Sequence, residues 1–454
     1  MRRKSSFFIF LVAGMILVSL ACNLTAQASG TPFNEETAVA GTVAALTPVN
    51  PSSTPEAHAV PTTTAAPVVT PVRVSFVDSA RNLYVWTEGS AAPVELVSSR
   101  DVTDSFVSSD GSLIAFSRGA VDMSNELDVI NADGTNQRVL INTAAFAALP
   151  HPADSTGLVP YKLAWIPNSH RLAMSVRITF EGPGLQIGDA LYSIDAESGT
   201  FSALSNPGQN FDFSFSPDGS WLVITRPTGV DLYSATGALV AANAVSHEFV
   251  NTASEYAWTA LPAWKNDSSN FAVAIAPKEP WGDAPGASAV WKVTTTGAAT
   301  NTYNGSMGFF PAGIASFNPD LTRMVFTTRV GAAADNNWAL HIANIDGSAD
   351  TLIDTGYFGK LPVWSPDGSK FIYTKLVGST RQAYLVQSGS VPTLLGDITS
   401  LIDVRWLDNT RYIVSSRMAG GSSLLLGTVG SPSGVIFNDP TVSDQQGFSF
   451  DVNR

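Results

Sequence analysis

The chain has 454 residues, of which 14% are charged and 10% aromatic, and it contains 36 Gly and 27 Pro. Low charge together with many turn-forming residues is typical of an all-β protein rather than a helical one. The formal net charge of −13 repels phosphate backbones, so nucleic acid is excluded as an expected partner.

Residues 1–21 have the layout of an export signal. Two arginines and a lysine at positions 2–4 precede a 15-residue apolar run over residues 7–21, which is shorter than a comfortable membrane span. The only cysteine, Cys22, follows immediately, and residues 18–22 resemble a bacterial lipobox. The resemblance implies that Cys22 is acylated and anchors the protein on the outer side of the cytoplasmic membrane or elsewhere in the cell envelope.

Two other interpretations of this segment stay open. Ser19 stands where a lipobox usually carries Leu. Residues 26–28, Ala-Gln-Ala, offer an ordinary signal-peptidase site with cleavage after Ala28, and without cleavage the apolar run would remain as an anchor. A single cysteine leaves no partner for an intramolecular disulfide, so the core alone must hold the fold.

Residues 22–71 are rich in Thr, Pro and Ala and poor in aromatic side chains. The spacing of prolines after residue 48 favours extended, polyproline-like chain, in which ~25 residues reach ~75 Å. We interpret this segment as a tether that lifts a globular domain away from a membrane. Disorder without a positional role is the alternative interpretation.

From residue 72 to residue 454, short apolar runs alternate with turn residues, and one turn sequence recurs. It reads Ser-Pro-Asp-Gly-Ser at residues 216–220 and again at residues 365–369. Asp or Asn suits this turn because its short polar side chain accepts a hydrogen bond from backbone two residues on. Aligned by their flanks, the copies place this residue at Asp110, Asn168, Asp218, Asp267, Asp320, Asp367, Asn409 and Asn453.

The spacing of these turn residues runs from 42 residues, between Asp367 and Asn409, to 58 residues, between Asp110 and Asn168. A repeat of this length indicates a β-propeller. A large apolar residue stands three positions before each turn residue. Four of these are tryptophans that we expect to be structural, namely Trp165, Trp264, Trp364 and Trp406.

The end of the chain determines the predicted blade count. Residues 448–450 repeat a Phe-Ser-Phe found earlier in the chain and place Asn453 in the turn series, while the strand that should follow Asn453 is found at residues 72–77. The last strand is therefore expected to join the N-terminal blade and close the ring, which removes exposed sheet edges. The predicted fold is a single all-β propeller of eight four-stranded blades. Seven blades would result if the unit around Asn168 or Asn409 is not a blade.

Residues 364–373 read Trp-Ser-Pro-Asp-Gly-Ser-Lys-Phe-Ile-Tyr. This sequence resembles the repeat of the TolB-type propeller family, a WD40-like group. The family repeat reads roughly Trp-Ser-Pro-Asp-Gly and is followed by a strand. The copies at Asn168, Asp267 and Asn409 match only by context. The resemblance covers residues 72–454 and implies the fold but no function. TolB itself has six blades and an extra N-terminal domain, whereas the eight-bladed dipeptidyl-peptidase propeller precedes a hydrolase domain.

Labelling the strands of each blade A to D places the short A–B and C–D turns on one face and the B–C and D–A connections on the other. Binding usually resides in long loops on a rigid scaffold. Aromatic rings in such loops stack on sugars or pack against peptides, unless they pack between blades instead. The long connections are residues 143–157, 177–187, 246–257, 277–287 and 330–337. The candidate ligand-face residues are Trp281, Trp258, Tyr256, Phe309, Phe310, Tyr357 and Phe358.

The sequence contains no Gly-x-Ser-x-Gly elbow, no His-x-x-x-His pattern and no pair of cysteines. We therefore expect no catalytic residue, metal or cofactor. The predicted protein is a non-catalytic, monomeric cell-envelope lipoprotein whose propeller binds a protein, peptide or glycan through its long-loop face. Two alternatives stay open: a propeller enzyme (metal-assisted hydrolase or lactonase) that uses channel carboxylates, and a detached regulatory propeller for a separate hydrolase.

Overall fold

The computed structural model describes residues 71–453 except for residues 121–122, 180–186, 206–211, 253–256, 282–285, 310–313, 332–336, 388–389, 397, 399, 419–420 and 441–447. The predicted signal segment, Cys22 and nearly all of the predicted tether lie outside the described residues. The domain boundaries at residues 21 and 71 therefore stay predictions. Within the described ranges, no helix is both long and apolar enough to cross a membrane.

Strands account for nearly all regular structure in the described residues. The first half of the chain contains β1 (Arg73–Val77), β2 (Leu83–Thr87), β3 (Val94–Val97), β4 (Val102–Val107), β5 (Leu113–Ala120), β6 (Met123–Asn131), β7 (Arg138–Ile141), the short helix α1 (Thr143–Ala147), β8 (Gly157–Trp165), β9 (Arg171–Thr179), β10 (Ile187–Asp195), β11 (Phe201–Ala203), β12 (Asp212–Phe215), β13 (Trp221–Arg226), β14 (Gly229–Ser234) and β15 (Leu239–Ser246).

The second half continues in the same manner. It contains β16 (Ala263–Trp264), β17 (Asn270–Ile275), β18 (Ser288–Thr294), β19 (Ala299–Gly305), β20 (Ala315–Phe317), β21 (Arg323–Arg329), β22 (Trp338–Asn344), β23 (Thr351–Gly356), β24 (Val363–Trp364), β25 (Lys370–Val377), β26 (Thr380–Gln387), β27 (Thr393–Leu394), β28 (Leu401–Trp406), β29 (Arg411–Met418), β30 (Gly421–Thr428), β31 (Ser431–Asp439) and β32 (Ser449–Val452).

These strands form eight four-stranded antiparallel sheets, each of which is one blade. Blade 1 combines β32, β1, β2 and β3, and blades 2 to 8 take four consecutive strands each, from β4–β7 to β28–β31. Within a blade the strands are labelled A to D in that order. Apolar clusters join every blade to the next, including blade 8 to blade 1, so the blades form a ring. The eight-bladed propeller is confirmed, and the units around Asn168 and Asn409 are both four-stranded blades.

The ring closes as predicted through the C-terminal strand. β32 pairs antiparallel with β1, and Val452 lies opposite Val74. Just beyond this strand, Asn453 Oδ1 accepts a hydrogen bond from Arg73 N at 2.6 Å, and Asn453 Nδ2 donates to Pro71 O at 3.2 Å. The two ends of the propeller are thus joined by the pairing of β32 with β1. The Asn453 side chain adds hydrogen bonds to the backbone of Pro71 and Arg73.

The four tryptophans of the repeat join neighbouring blades. All four are buried, and each indole N–H donates to a backbone carbonyl in strand A of the preceding blade. A tryptophan suits this position because its large apolar surface fills the space between blades while its single polar atom finds a partner. The bonds run from Trp165 to Phe106 O at 3.0 Å, from Trp264 to Ser214 O at 3.4 Å, from Trp364 to Ser316 O at 3.4 Å and from Trp406 to Val363 O at 3.0 Å.

The Asp residues of the turn series have the predicted role. In five blades the carboxylate accepts from the backbone N–H two residues later at 3.0 Å, which stabilises the A–B turn. These residues are Asp110, Asp218, Asp267, Asp320 and Asp367. In blade 4 the following Gly219 has a φ of +73°, and an added Cβ would lie 2.4 Å from Pro167 O of blade 3. Glycine is required there by both backbone conformation and close approach.

In blade 8 the turn is stabilised by Asp408 rather than by the predicted Asn409. Asp408 Oδ1 accepts from Thr410 N at 2.7 Å. Burial raises the pKa of Asp408, but hydrogen bonds from Arg411 and Thr410 outweigh it and lower the pKa to about 2. The prediction was displaced by one residue because the connection between β28 and β29 is one residue shorter than that between β24 and β25.

Asn168 and Asn409 connect blades instead of closing their own turns. Asn409 Oδ1 accepts from Asp367 N of blade 7 at 3.0 Å. Asn168 Nδ2 donates to Pro217 O of blade 4 at 3.4 Å. Neutral amides suit this role because they both donate and accept hydrogen bonds, whereas a carboxylate only accepts.

Candidate functional site

The connections lie on two faces of the ring. The A–B and C–D turns form the turn face, and the B–C and D–A connections form the long-loop face. The connections of eight residues or more on the second face are residues 142–156, 204–211, 247–262, 276–287, 306–314, 330–337 and 440–448. The first of these contains α1, where Asn142 Oδ1 accepts from Ala145 N at 2.9 Å.

Among the described residues, four Phe, Tyr or Trp rings are exposed, and three of them lie in connections of the long-loop face. Trp281 is 48% exposed, and Tyr161, Phe249 and Tyr357 are between 42% and 47% exposed. Phe249, Trp281 and Tyr357 belong to connections of this face, and Tyr161 is the extra residue of a bulge at the middle of the inner strand β8. The other exposed large apolar side chains are aliphatic, and seven of these twelve lie on the outermost strands of the blades.

Trp281 rests on a chain of aromatic rings. Its ring meets Phe309 edge to face, with centroids 4.9 Å apart and 79° between the planes. Phe309 in turn lies 6.3 Å from Trp258, and Trp258 lies 5.9 Å from His247. Phe309 and Trp258 are buried, so the exposed indole is supported by the apolar core of blade 5.

Two connections are tied together beside Trp281. Asn251 N donates to Lys278 O at 2.8 Å, and Asn251 Nδ2 donates to the two carboxylate oxygens of Glu279 at 3.4 and 3.2 Å. These bonds join the 247–262 connection to the 276–287 connection. We call Phe249, Asn251, Glu279 and Trp281 the blade-5 site.

Three buried polar atoms at the long-loop end of blade 5 have no hydrogen-bond partner among the described residues. They are His247 Nε2, Trp258 Nε1 and Ser288 Oγ. Burial lowers the pKa of His247, so its ring is neutral at pH 7. His247 Nδ1 lies 2.8 Å from the Glu248 carbonyl oxygen, which only accepts, so Nδ1 carries the proton and Nε2 is an acceptor. Buried polar groups nearly always have hydrogen-bond partners. Three unpartnered atoms close together therefore indicate a place where a ligand or a water molecule supplies the missing hydrogen bonds.

The seven predicted ligand-face aromatics have different positions. Trp281 and Tyr357 are exposed. Tyr256 and Phe310 lie outside the described residues. The other three are 8% exposed or less and fill the space between blades, because chain that enters an inner strand passes over the apolar contact of two blades. These three are Trp258, Phe309 and Phe358.

Phe249, Asn251 and Tyr161 were not among the predicted site residues. Phe249 stands two residues after a histidine and two before Asn251 in a loop without strand pattern, and a lone aromatic ring among polar neighbours is a signal for exposure. Tyr161 gives no such signal, because only the pairing of β8 with β9 shows that it is the bulged residue. Its ring lies 4.0 Å beneath the guanidinium carbon of Arg177.

The channel through the ring contains a second candidate site. A cavity of about 450 Å³ lies among β4, β8, β28 and β32. Burial raises the pKa of Asp104, and repulsion from Asp451 adds to it, against a lowering by the hydrogen bond from Ser449. The charged residues that line the cavity are Asp104, Lys162, Asp403, Arg405 and Asp451. Within the described part of the chain, no group of three or more His, Cys, Asp or Glu side chains is arranged to hold a metal ion.

A histidine on the turn face has contacts like those of a catalytic triad. His170 Nε2 lies 3.1 Å from Ser112 Oγ and 3.0 Å from Asp110 Oδ2, and Nδ1 lies 3.1 Å from Glu197 Oε1. Burial lowers the pKa of His170, but the hydrogen bonds to Asp110 and Glu197 outweigh it and raise the pKa. Ser112 Oγ already donates to the Asp110 carboxylate at 2.8 and 2.9 Å, and the raised pKa of His170 favours the protonated ring. We therefore interpret this arrangement as an ion bridge between blades 2 and 3 rather than a general-base site.

No protein-family model matches the chain, and no curated protein matches it. Solved structures similar to it include TolB from Acinetobacter baumannii, with 11% identity, coverage of 71% of this chain and 63% of that chain, and a TM-score of 0.33. An oligogalacturonate lyase in complex with manganese has 13% identity, coverage of 67% and 82%, and a TM-score of 0.45. The β-propeller domain of the Trilobed protease from Pyrococcus furiosus has 10% identity, coverage of 61% and 82%, and a TM-score of 0.42.

The chain thus spans slightly less than two thirds of the length of that TolB. At identities of 10% to 13% the likeness concerns the fold alone. The chain is a β-propeller by its own strand pairing, and any activity has to be argued from its own residues.

Proposed function

We propose that the propeller is a non-catalytic binding module that recognises its partner through the long-loop face. The observation that carries the proposal is the position of the exposed rings of Phe249, Trp281 and Tyr357, which lie in connections of this face. Exposed aromatic side chains on a rigid scaffold are effective anchors, because they bury a large apolar area at low cost in rotamer freedom. The turn face is used differently, since its side chains bind turns of neighbouring blades to each other.

The proposal is tested by sedimenting the purified Cys22→Ala chain, which lacks the proposed acylation site, with isolated envelopes of the cells that produce it. The double variant Trp281→Ala and Tyr357→Ala should weaken retention at least about tenfold, because both anchors are removed. Leu352→Ala is the matched control, since Leu352 is 55% exposed on the outer strand β23. Retention of the double variant at the level of the control would contradict the proposal, provided that both variants melt at the wild-type temperature.

We further propose that Cys22 is acylated and that residues 22–71 tether the propeller to the cell envelope. The sequence around Cys22 supports this, as described above. Cys22→Ala should move the chain from the membrane fraction to the soluble fraction and abolish labelling by radioactive palmitate. Wild-type chain that carries no label and begins after Ala28 would show that an ordinary signal peptidase processes it instead.

The raised pKa of Asp104 favours a second candidate function, a propeller enzyme that uses the channel. A carboxyl group whose pKa is raised keeps its proton to higher pH and is better suited to donate that proton to a leaving group. Purified chain that hydrolyses lactone, ester or glycoside substrates, and that loses the activity on Asp104→Asn, would support this candidate. Activity that survives the substitution would rule out Asp104 as the proton donor.

A further inference from the structure

We infer that the blade-5 site binds an uncharged sugar residue. This inference rests on the proposed function, because it names the class of ligand that one part of the long-loop face recognises. Three features of the site support it: an exposed indole face, a carboxylate beside it with unused acceptor positions, and buried donor and acceptor atoms behind it.

The first feature is the indole of Trp281. Because Phe309 meets it at 79°, Phe309 covers at most one face of the indole, and the ring is 48% exposed. A pyranose ring presents several C–H groups on one side, and these carry partial positive charge that is attracted to the negative face of an aromatic ring. The burial of Phe309 holds the indole in place before a ligand arrives, which reduces the entropy lost on binding.

The second feature is the carboxylate of Glu279, two residues before Trp281. Its oxygens provide about four acceptor positions, of which the amide of Asn251 fills at most two. The Cα atoms of Glu279 and Trp281 are separated by two peptide units, or at most about 7.6 Å. A sugar that stacks on the indole therefore has its hydroxyl groups within reach of a carboxylate held in place by Asn251.

The third feature distinguishes a sugar from a charged ligand. Trp258 Nε1 is a donor and His247 Nε2 is an acceptor, and both are buried without a partner. A hydroxyl group, directly or through water, satisfies a donor and an acceptor at once, whereas a cation satisfies only the acceptor and an anion only the donor. Lys278, the residue before Glu279, has its ammonium group 4.0 Å from the Glu248 carboxylate. Because this positive charge is already beside a negative one, the net local charge does not favour an acidic sugar.

The test is titration of the purified full-length chain with soluble tetrasaccharides, followed by tryptophan fluorescence and calorimetry. The uncharged probes are cellotetraose, mannotetraose and chitotetraose, and the charged probes are tetragalacturonate and tetralysine. At least one uncharged probe should bind saturably with a Kd below about 10 mM. Trp281→Ala should weaken that binding at least about tenfold, and Glu279→Gln should weaken it about threefold or more, because a neutral amide is the weaker acceptor.

Two variants keep the result interpretable. Leu352→Ala removes an exposed apolar side chain, 55% exposed, on the outer strand β23 and away from the long-loop face, and should change the affinity by less than about twofold. Trp281→Tyr retains an aromatic face and should restore part of the binding that Trp281→Ala loses. The inference is overturned if no uncharged probe binds, if Trp281→Ala binds the sugar like wild type, or if tetralysine or tetragalacturonate is the probe that depends on Trp281.

The failure of this inference and the failure of the proposed function give different results. If Trp281→Ala and Tyr357→Ala together abolish retention on envelopes but no uncharged sugar binds, the long-loop face is a binding face for another ligand class. If neither retention nor sugar binding responds to these substitutions, both proposals are wrong.

Discussion

Single polar side chains link neighbouring blades across the turn face. His170 joins Asp110 of blade 2 to Glu197 of blade 3, and Arg138 approaches the same Glu197 at 3.2 Å. The side chain of His170 is 36% exposed, so solvent screening keeps each ion pair to at most about 1 kcal/mol. The contribution of the bridge lies in holding two adjacent blades in register at the point where their turns meet.

We expect His170 to make the free energy of unfolding depend on pH. Its pKa is raised in the folded chain above the ~6.5 of an unfolded chain, so its contribution is fully present below about pH 6.5 and is lost as pH rises through the folded-state pKa. The pKa of Asp110 is lowered, since hydrogen bonds outweigh the effect of burial, so that contribution is present above about pH 3.9 and is lost as pH falls.

His170→Gln should accordingly lower the free energy of unfolding by about 0.5–1 kcal/mol at about pH 5.5 and by less at about pH 9. Urea denaturation at the two pH values measures the difference. His151→Gln is the control, since His151 lies in an exposed loop where it contacts only Ser155 and Pro152 among the described residues. An equal loss at both pH values would show that the imidazole acts by packing and not by charge.

At the scale of strands and turns, the tryptophans of the repeat are the main connectors of blades. Each fills the contact between two sheets and satisfies a carbonyl of the preceding inner strand. The inner strand β24 has only two residues and therefore few backbone hydrogen bonds within its own sheet. The indole of Trp406 from the next blade donates to Val363 O of this strand and supplies part of the order that a longer strand would provide.

Trp406 is the most deeply buried of these tryptophans, with 1% exposure. Trp406→Phe should lower the free energy of unfolding by about 1–3 kcal/mol, because it removes apolar volume and the hydrogen bond to Val363 O. Chemical denaturation followed by circular dichroism measures the change. Trp281→Phe, at an exposed position, should change stability by less than about 0.5 kcal/mol, and a similar loss in both variants would contradict the structural role of the buried series.

At the scale of the whole molecule, closure of the ring determines cooperativity. The cluster between blades 8 and 1 contains Phe448, Phe450 and Val452 of the C-terminal segment together with Val74 and Phe76 of β1. Without these residues both β1 and the inner edge of blade 8 lose their neighbours, and an unpaired strand edge is exposed to other chains. The N-terminal and C-terminal strands therefore stabilise each other although they are distant in sequence.

A chain that ends after residue 440 should lose about 5 kcal/mol or more of unfolding free energy, because three buried apolar side chains and a strand pair are removed. Thermal melting followed by circular dichroism is the measurement. Asn453→Ala is the milder variant, and the loss of its bonds to Arg73 N and Pro71 O should lower stability by about 1–2 kcal/mol. A truncated chain that melts at the wild-type temperature would contradict the role of closure.

Much of the architecture was predictable because it is repeated. The same turn occurs eight times, and several copies have a tryptophan three residues before them. A misassigned residue in one copy therefore does not change the predicted fold or blade count. The displacement from Asn409 to Asp408 is such an error, because a turn one residue shorter offers its carboxylate one position earlier. The closure by residues 449–452 was predictable for the same reason. The repeat requires a strand after Asn453, and the matching strand is found at residues 72–77, ahead of the first complete repeat.

The site was predictable only in outline. Residues near in the chain determine turns and strands, and a periodic pattern of such residues therefore suffices for the blade count, the ring closure and the assignment of long connections to one face. Exposure of a ring depends on what other connections place beside it. Trp281 and Phe309 are both candidate ligand-face residues by sequence, yet one ring is 48% and the other 8% exposed, because the chain folds Phe309 between Trp258 and Trp281. Contacts between distant connections, such as Asn251 with Glu279, exist only once the ring has formed.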